Sequence, residues 1–84
     1  MKREWDSGFE EVLREVIPPD RHLSLHPDVH LMGIGLDSMG VMQLVALLED
    51  HYDMVFPIEL MTADVLATPK TLWSAVEAAR AAAE

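Results

Sequence analysis

The chain has 84 residues and no cysteine, half of its residues are hydrophobic, and its formal net charge is -9. One domain over residues 1–84 must fold on its apolar core alone, with neither a disulfide framework nor a thiolate metal site to supplement it. The acid excess argues against a nucleic-acid binder, and no basic leader or bilayer-length apolar run is present, so a soluble cytoplasmic monomer without membrane insertion is expected.

Trp5, Phe9, Val12, Leu13, Val16 and Ile17 recur at helical spacing, with Glu10, Glu11, Arg14 and Glu15 on the other side. That pattern predicts an amphipathic helix with one core-facing stripe. Pro18-Pro19 ends it, because proline lacks the amide and disfavours helix in the residue before it. Residues 18–36 show no clean period. Leu23, Leu25, Val29, Leu31, Ile34 and Leu36 are scattered there among His, Asp, Pro and Gly, which predicts a long loop that packs over the core.

Asp37 has the chemistry of a helix N-cap, and a second helix is expected from Ser38 to about Tyr52, ending at Asp53. Met54-Val55-Phe56-Pro57 reads as an extended linker. Ala63 to Ala67 can form a short helical turn capped by Thr62, and a last helix begins near Thr68-Pro69 or Thr71 and runs into the alanine-rich tail. The expected fold is therefore all-α, a small four-helix bundle with a short third helix and a long first loop.

The second helix is apolar on two sides. Val41, Leu44, Val45, Leu48 and Tyr52 form an ordinary core stripe at about 100° per residue. The opposite side carries Met39, Met42, Gln43 and Ala46, then Glu49 and Asp50. Either this helix is central and buried all round, or the methionines and carboxylates form a docking face for other proteins. So short a chain cannot easily surround one of its own helices, which favours docking. Reversing the charge at Glu49 is then expected to weaken partner reactions far more than folding.

Ser38 starts that helix after Gly33-Ile34-Gly35-Leu36-Asp37. It is either a tolerated first-turn residue behind a cap, or a hydroxyl presented for modification where the helix dipole favours an attached phosphate. Hydrolytic use has little support: Gly-x-Ser-x-Gly is absent and no histidine is locally paired with the serine.

Gly35-Leu36-Asp37-Ser38-Met39, followed by an apolar helix, an acidic helix end and Phe56-Pro57, resembles the acyl and peptidyl carrier protein family. The resemblance covers nearly the whole chain. It implies a four-helix carrier domain in which a phosphopantetheinyl transferase moves 4′-phosphopantetheine from coenzyme A onto Ser38. The arm's thiol then holds an acyl or aminoacyl thioester. Such a chain is a tethered substrate and not an enzyme. Its further partners are a loading ligase and an acyltransferase or downstream synthase. The resemblance also implies that Asp37, Met39, Met42, Gln43, Ala46, Glu49 and Asp50 form the surface those partners read.

Within the family, Leu36-Asp37-Ser38-Met39-Gly40 and Gln43-Leu44 are similar to D-alanyl carriers of cell walls and to stand-alone natural-product carriers. Met39 and Gln43 differ from the Leu and acidic residue usual in fatty-acid carriers, and residues 58–70 lack the Asp/Arg/Trp-rich stretch of D-alanyl carriers. The expectation is polyketide or nonribosomal-type antibiotic biosynthesis, with a D-alanyl carrier as the alternative. A helical interaction domain that is never modified is the rival from another class.

His22, His26 and His30 are spaced by four, but Pro27 breaks the helix that would align them, and they are read as loop histidines, not metal ligands. Trp5 and Trp73 are read as core, His51 as a helix-end residue, and Glu10-Glu11 and Glu49-Asp50 as solvated carboxylates.

Overall fold

Asp6, and not Trp5, opens the first helix. In the computed structural model, which describes residues 5–20 and 25–83, helix α1 spans Ser7–Val16. Asp6 Oδ1 accepts the amide of Phe9 at 2.8 Å and satisfies one of the donors a helix start leaves unpaired. Trp5 lies just outside the helix, where its ring meets Phe9 edge-on at 5.7 Å and its indole N–H donates to Glu10 at 3.3 Å. The core role expected of Trp5 holds, but the helical position does not. The apolar spacing continued one turn upstream of the cap, and the cap decides the boundary.

Phe9, Val12 and Leu13 of α1 are buried, as is Ile17 at its end, where the extended backbone before Pro18-Pro19 stops the helix. The loop that follows packs onto the core as its scattered apolar residues predict. Leu31, Ile34 and Leu36 are buried, and Leu25 and Val29 are half-buried. A 3-10 turn over Leu31–Ile34 organises this stretch and ends at Gly35, whose φ of 105° only glycine adopts without strain. Leu23, expected to pack here too, lies outside the described residues, as do Lys2, Arg3, Arg21 and His22.

Helix α2 spans Ser38–Tyr52, with the expected boundaries. Asp37 caps it and Asp53 ends it in the left-handed conformation, its amide turning back onto the last carbonyls. Val41, Leu44, Val45 and Leu48 are buried, and each such side chain contributes roughly 1.5–3 kcal/mol of burial. Met54-Val55-Phe56-Pro57 is an irregular linker in which Met54 and Phe56 are buried and Val55 is exposed, the period-two alternation of extended backbone.

Between residues 58 and 67 the chain departs from expectation. A 3-10 turn covers Ile58–Leu60, and residues 62–67 form hydrogen-bonded turns and bends, not a helix. Thr62 still caps this segment: its Oγ1 accepts the amide of Val65 at 3.2 Å, and its carbonyl accepts that of Leu66 at 3.0 Å. Helix α3 spans Pro69–Ala83. Thr68 Oγ1 accepts the amide of Thr71 at 3.2 Å, and Thr71 Oγ1 accepts that of Thr68 at 3.3 Å, a reciprocal cap with proline at the first helical position. Leu72, Ala75, Val76 and Ala79 face the core. The described residues thus form an all-helical fold of three α-helices and short turns, with no strand.

The apolar core holds Phe9, Leu13, Ile17, Leu31, Leu44, Leu48, Leu72 and Val76 with almost no solvent exposure, and no polar residue is buried among those described. Trp73 is half-buried and packs on Phe9 at 5.1 Å, in keeping with its core reading. No described helix is long and apolar enough to cross a membrane.

Candidate functional site

The start of α2 is fixed from both directions. Upstream, the left-handed Gly35 turns the chain so that Leu36 enters the core and Asp37 stays outside. Downstream, Asp37 Oδ1 accepts the amide of Gly40 at 2.7 Å, while its carbonyl accepts that of Val41 at 2.9 Å. A Cβ at position 40 would stand 3.0 Å from Leu36 Cδ2 and 3.3 Å from Asp37 Oδ1, so glycine relieves a tight contact there. Ser38 and Met39 are the first two helical residues. Their amides precede the first intrahelical hydrogen bond, and both side chains are exposed.

Ser38 borders a cavity of about 210 Å³ that it shares with His30, Met32, Val41, Ala63, Leu66 and Ala67. Two backbone hydrogen bonds hold its walls together. The Leu31 amide donates to Ala67 O at 2.9 Å, and the Lys70 amide donates to Pro27 O at 3.0 Å. The first loop is thereby pinned to the segment leading into α3. His30 and Ser38 thus line one cavity although eight positions separate them in sequence, a pairing that local pattern could not supply.

A second concavity, of about 520 Å³, runs between α2 and the turn after Pro57. Met42, Val45, Ala46 and Glu49 line one side and Phe56, Ile58 and Met61 the other. Of the residues expected on a partner surface, the structure brings Met42, Ala46 and Glu49 together here. Asp37, Met39, Gln43 and Asp50 are exposed on or beside α2 but lie outside this concavity. The two-sided helix is not buried all round: Met39 is 81% and Met42 52% exposed. Ile58, 84% exposed, extends the apolar rim. Its exposure depends on how the turn over Ile58–Leu60 is set against α2, which no local pattern in the sequence announces.

Glu49 corrects another expectation. It is half-buried, and its Oε2 accepts the amide of Phe56 at 3.0 Å, so it fastens the linker to α2. Glu10 is likewise engaged, accepting from Trp5 Nε1 and pairing with Arg14 at 3.0 Å. Neither carboxylate is simply solvated, whereas Asp50 and Glu11 are exposed. His26 and His30 are exposed, and His26 Nδ1 accepts the Asp28 amide at 3.3 Å. No cluster of three metal-binding side chains occurs among the described residues.

The charge of the sequence span that contains Ser38 is one-sided. No Lys or Arg occurs from His22 to Pro69, while Asp28, Asp37, Glu49, Asp50, Asp53, Glu59 and Asp64 all fall within that span. Such a surface suits association with basic faces of other proteins.

Residues 9–73 match the family model described as a phosphopantetheine attachment site. A comparison with curated proteins gave no match.

Proposed function

The chain belongs to the phosphopantetheine attachment-site family, and we propose that Ser38 is the residue that bears the arm. Residues 9–73 form a domain to which 4′-phosphopantetheine is attached, and a chain of this family carries substrates on that group. Carrier domains present substrate to other enzymes and are not themselves catalytic.

The observation that carries the assignment is the exposed Ser38 hydroxyl on the first turn of α2, beside an apolar cavity. The residues present fit the group. A transferase joins Ser38 Oγ to the phosphorus of the pantetheine phosphate while the pyrophosphate bond of coenzyme A breaks, adenosine 3′,5′-bisphosphate leaves with the bridging oxygen, and the hydroxyl proton passes to a base of the transferase. Asp37 occupies the Gly40 amide, leaving the Ser38 and Met39 amides and the positive helix end next to the new phosphate. When bound, the arm supplies a thiol that holds an acyl or aminoacyl group as a thioester. Tethering raises the cargo's effective concentration at each partner, and docking supplies the choice among partners.

Met39, Met42, Ala46 and the concavity rimmed by Ile58 and Met61 serve as the apolar part of the docking surface, with Asp37, Gln43, Glu49 and Asp50 as its polar part. Methionines suit successive partners because unbranched thioethers adapt to several shapes. The partners are a phosphopantetheinyl transferase, a loading ligase, and an acyltransferase or synthase acting in the cytoplasm. The segment over residues 58–67 takes the place of a short third helix in a four-helix carrier bundle. Met39 and Gln43 favour a natural-product pathway of polyketide or nonribosomal type over fatty-acid synthesis.

Intact mass of the protein from its native host tests the carrier reading. A carrier shows the arm plus a cargo that neutral hydroxylamine removes as a thioester. Protein without any added mass, binding its partners equally well when Ser38 is replaced by Ala, is instead an unmodified interaction domain.

A further inference from the structure

The proposed arm places a phosphodiester in a neighbourhood of carboxylates. Besides His30, the charged and titratable side chains within four sequence positions of a residue lining the Ser38 cavity are His26, Asp28, Asp37, Glu59, Asp64 and Lys70. Lys70 lines a different concavity, with Leu60, Val65, Thr71, Ser74, Ala75 and Ala78. His30 is the one titratable side chain that lines the Ser38 cavity among the described residues, and it makes no capping hydrogen bond of its own. The other walls are Met32, Val41, Ala63, Leu66 and Ala67, which offer no side-chain donor.

We propose that His30 is the phosphate-facing group of this cavity, its imidazole N–H donating to the phosphodiester on Ser38. The inference rests on Ser38 as the attachment residue. Its physical basis is that an imidazole keeps an N–H donor in either protonation state, and a hydrogen bond to an ionised phosphate oxygen is stronger than one between neutral groups. The backbone links Leu31 N–H to Ala67 O and Lys70 N–H to Pro27 O tie the loop that bears His30 to Ala67, another wall of the Ser38 cavity, and to the start of α3. His30 thereby positions the first bonds of the arm against the cavity mouth.

The holo protein, prepared with a phosphopantetheinyl transferase and coenzyme A, is compared by phosphorus NMR at neutral pH with its His30→Ala and His26→Ala variants. The expected result is a phosphodiester resonance displaced from its wild-type position in His30→Ala and unmoved in His26→Ala. The His30 ring resonances should also move between the apo and holo forms. His30 is exposed, so His30→Ala is expected to fold, which circular dichroism checks. A phosphorus resonance at the wild-type position in His30→Ala, or unmoved ring resonances in a sample whose mass shows the arm, overturns the role of His30 alone. A wild-type mass without the arm overturns the attachment at Ser38 and this inference with it.

Discussion

The Tyr52 hydroxyl donates to Asp6 Oδ1 at 2.7 Å, joining the last residue of α2 to the cap of α1 across 46 positions of sequence. The same oxygen accepts the Phe9 amide, and Arg80 of α3 lies 4.8 Å above the Tyr52 ring. Three helices therefore meet at one carboxylate. Burial works against the charge of Asp6, but the Phe9 amide, the Tyr52 hydroxyl and Arg80 together hold its pKa below the ordinary value of 3.8. Burial and the Asp6 carboxylate push the Tyr52 phenol up in turn.

Tyr52→Phe removes this bond and keeps the ring. Thermal unfolding at neutral pH should show a loss of about 1 kcal/mol, a fall in Tm of roughly 4–8 °C. The sign with pH follows from the direction of the Asp6 shift. A carboxylate whose folded pKa is depressed contributes stability above its unfolded pKa and loses it as pH falls through the folded value. The deficit of Tyr52→Phe should therefore be constant at neutral pH and shrink below 3.8. A deficit that grows in acid would contradict the arrangement.

Glu49 and Asp50 separate stability from recognition. Because Glu49 accepts the Phe56 amide, Glu49→Arg should cost about 1–2 kcal/mol in urea unfolding, and the linker it fastens forms part of the partner concavity. Asp50→Arg, on an exposed position, should stay within about 0.5 kcal/mol of wild type. It should nonetheless slow transfer to a cognate partner and flatten the salt dependence of that rate. Unchanged transfer in Asp50→Arg removes Asp50 from the docking surface.

Gly35 tests the turn that aims Ser38. Its φ of 105° is strained for any residue with a Cβ, so Gly35→Ala should lose about 1–2 kcal/mol, read as a lower urea midpoint. The turn leads directly into the Asp37 cap, so arm loading should also slow in conditions where the variant is fully folded. Loading at the wild-type rate would show that the transferase does not need the turn.

Much of this was legible in the sequence because its signals are local. Asp37 and Asp53 bracket α2, Pro18-Pro19 ends α1, and Thr68-Pro69 starts α3, each through the chemistry of the residue itself. The apolar outer side of α2 pointed to an uncovered face, and Met39 and Met42 are exposed. What was hidden depends on tertiary neighbours. Nothing near Glu49 announces that the Phe56 amide will reach it, and nothing near His30 announces Ser38. The segment over 62–67 fell short of a helix although its Thr62 cap was read correctly, since one turn is too short for propensity to decide between helix and hydrogen-bonded bends.

The central claim is the assignment of the arm to Ser38. Wild type and Ser38→Ala, each co-expressed with a broad-specificity phosphopantetheinyl transferase, can be compared by intact mass. Wild type should gain the mass of one phosphopantetheine and Ser38→Ala none, with both folded by circular dichroism. An unmodified wild type, or a Ser38→Ala protein modified to the same extent, contradicts it.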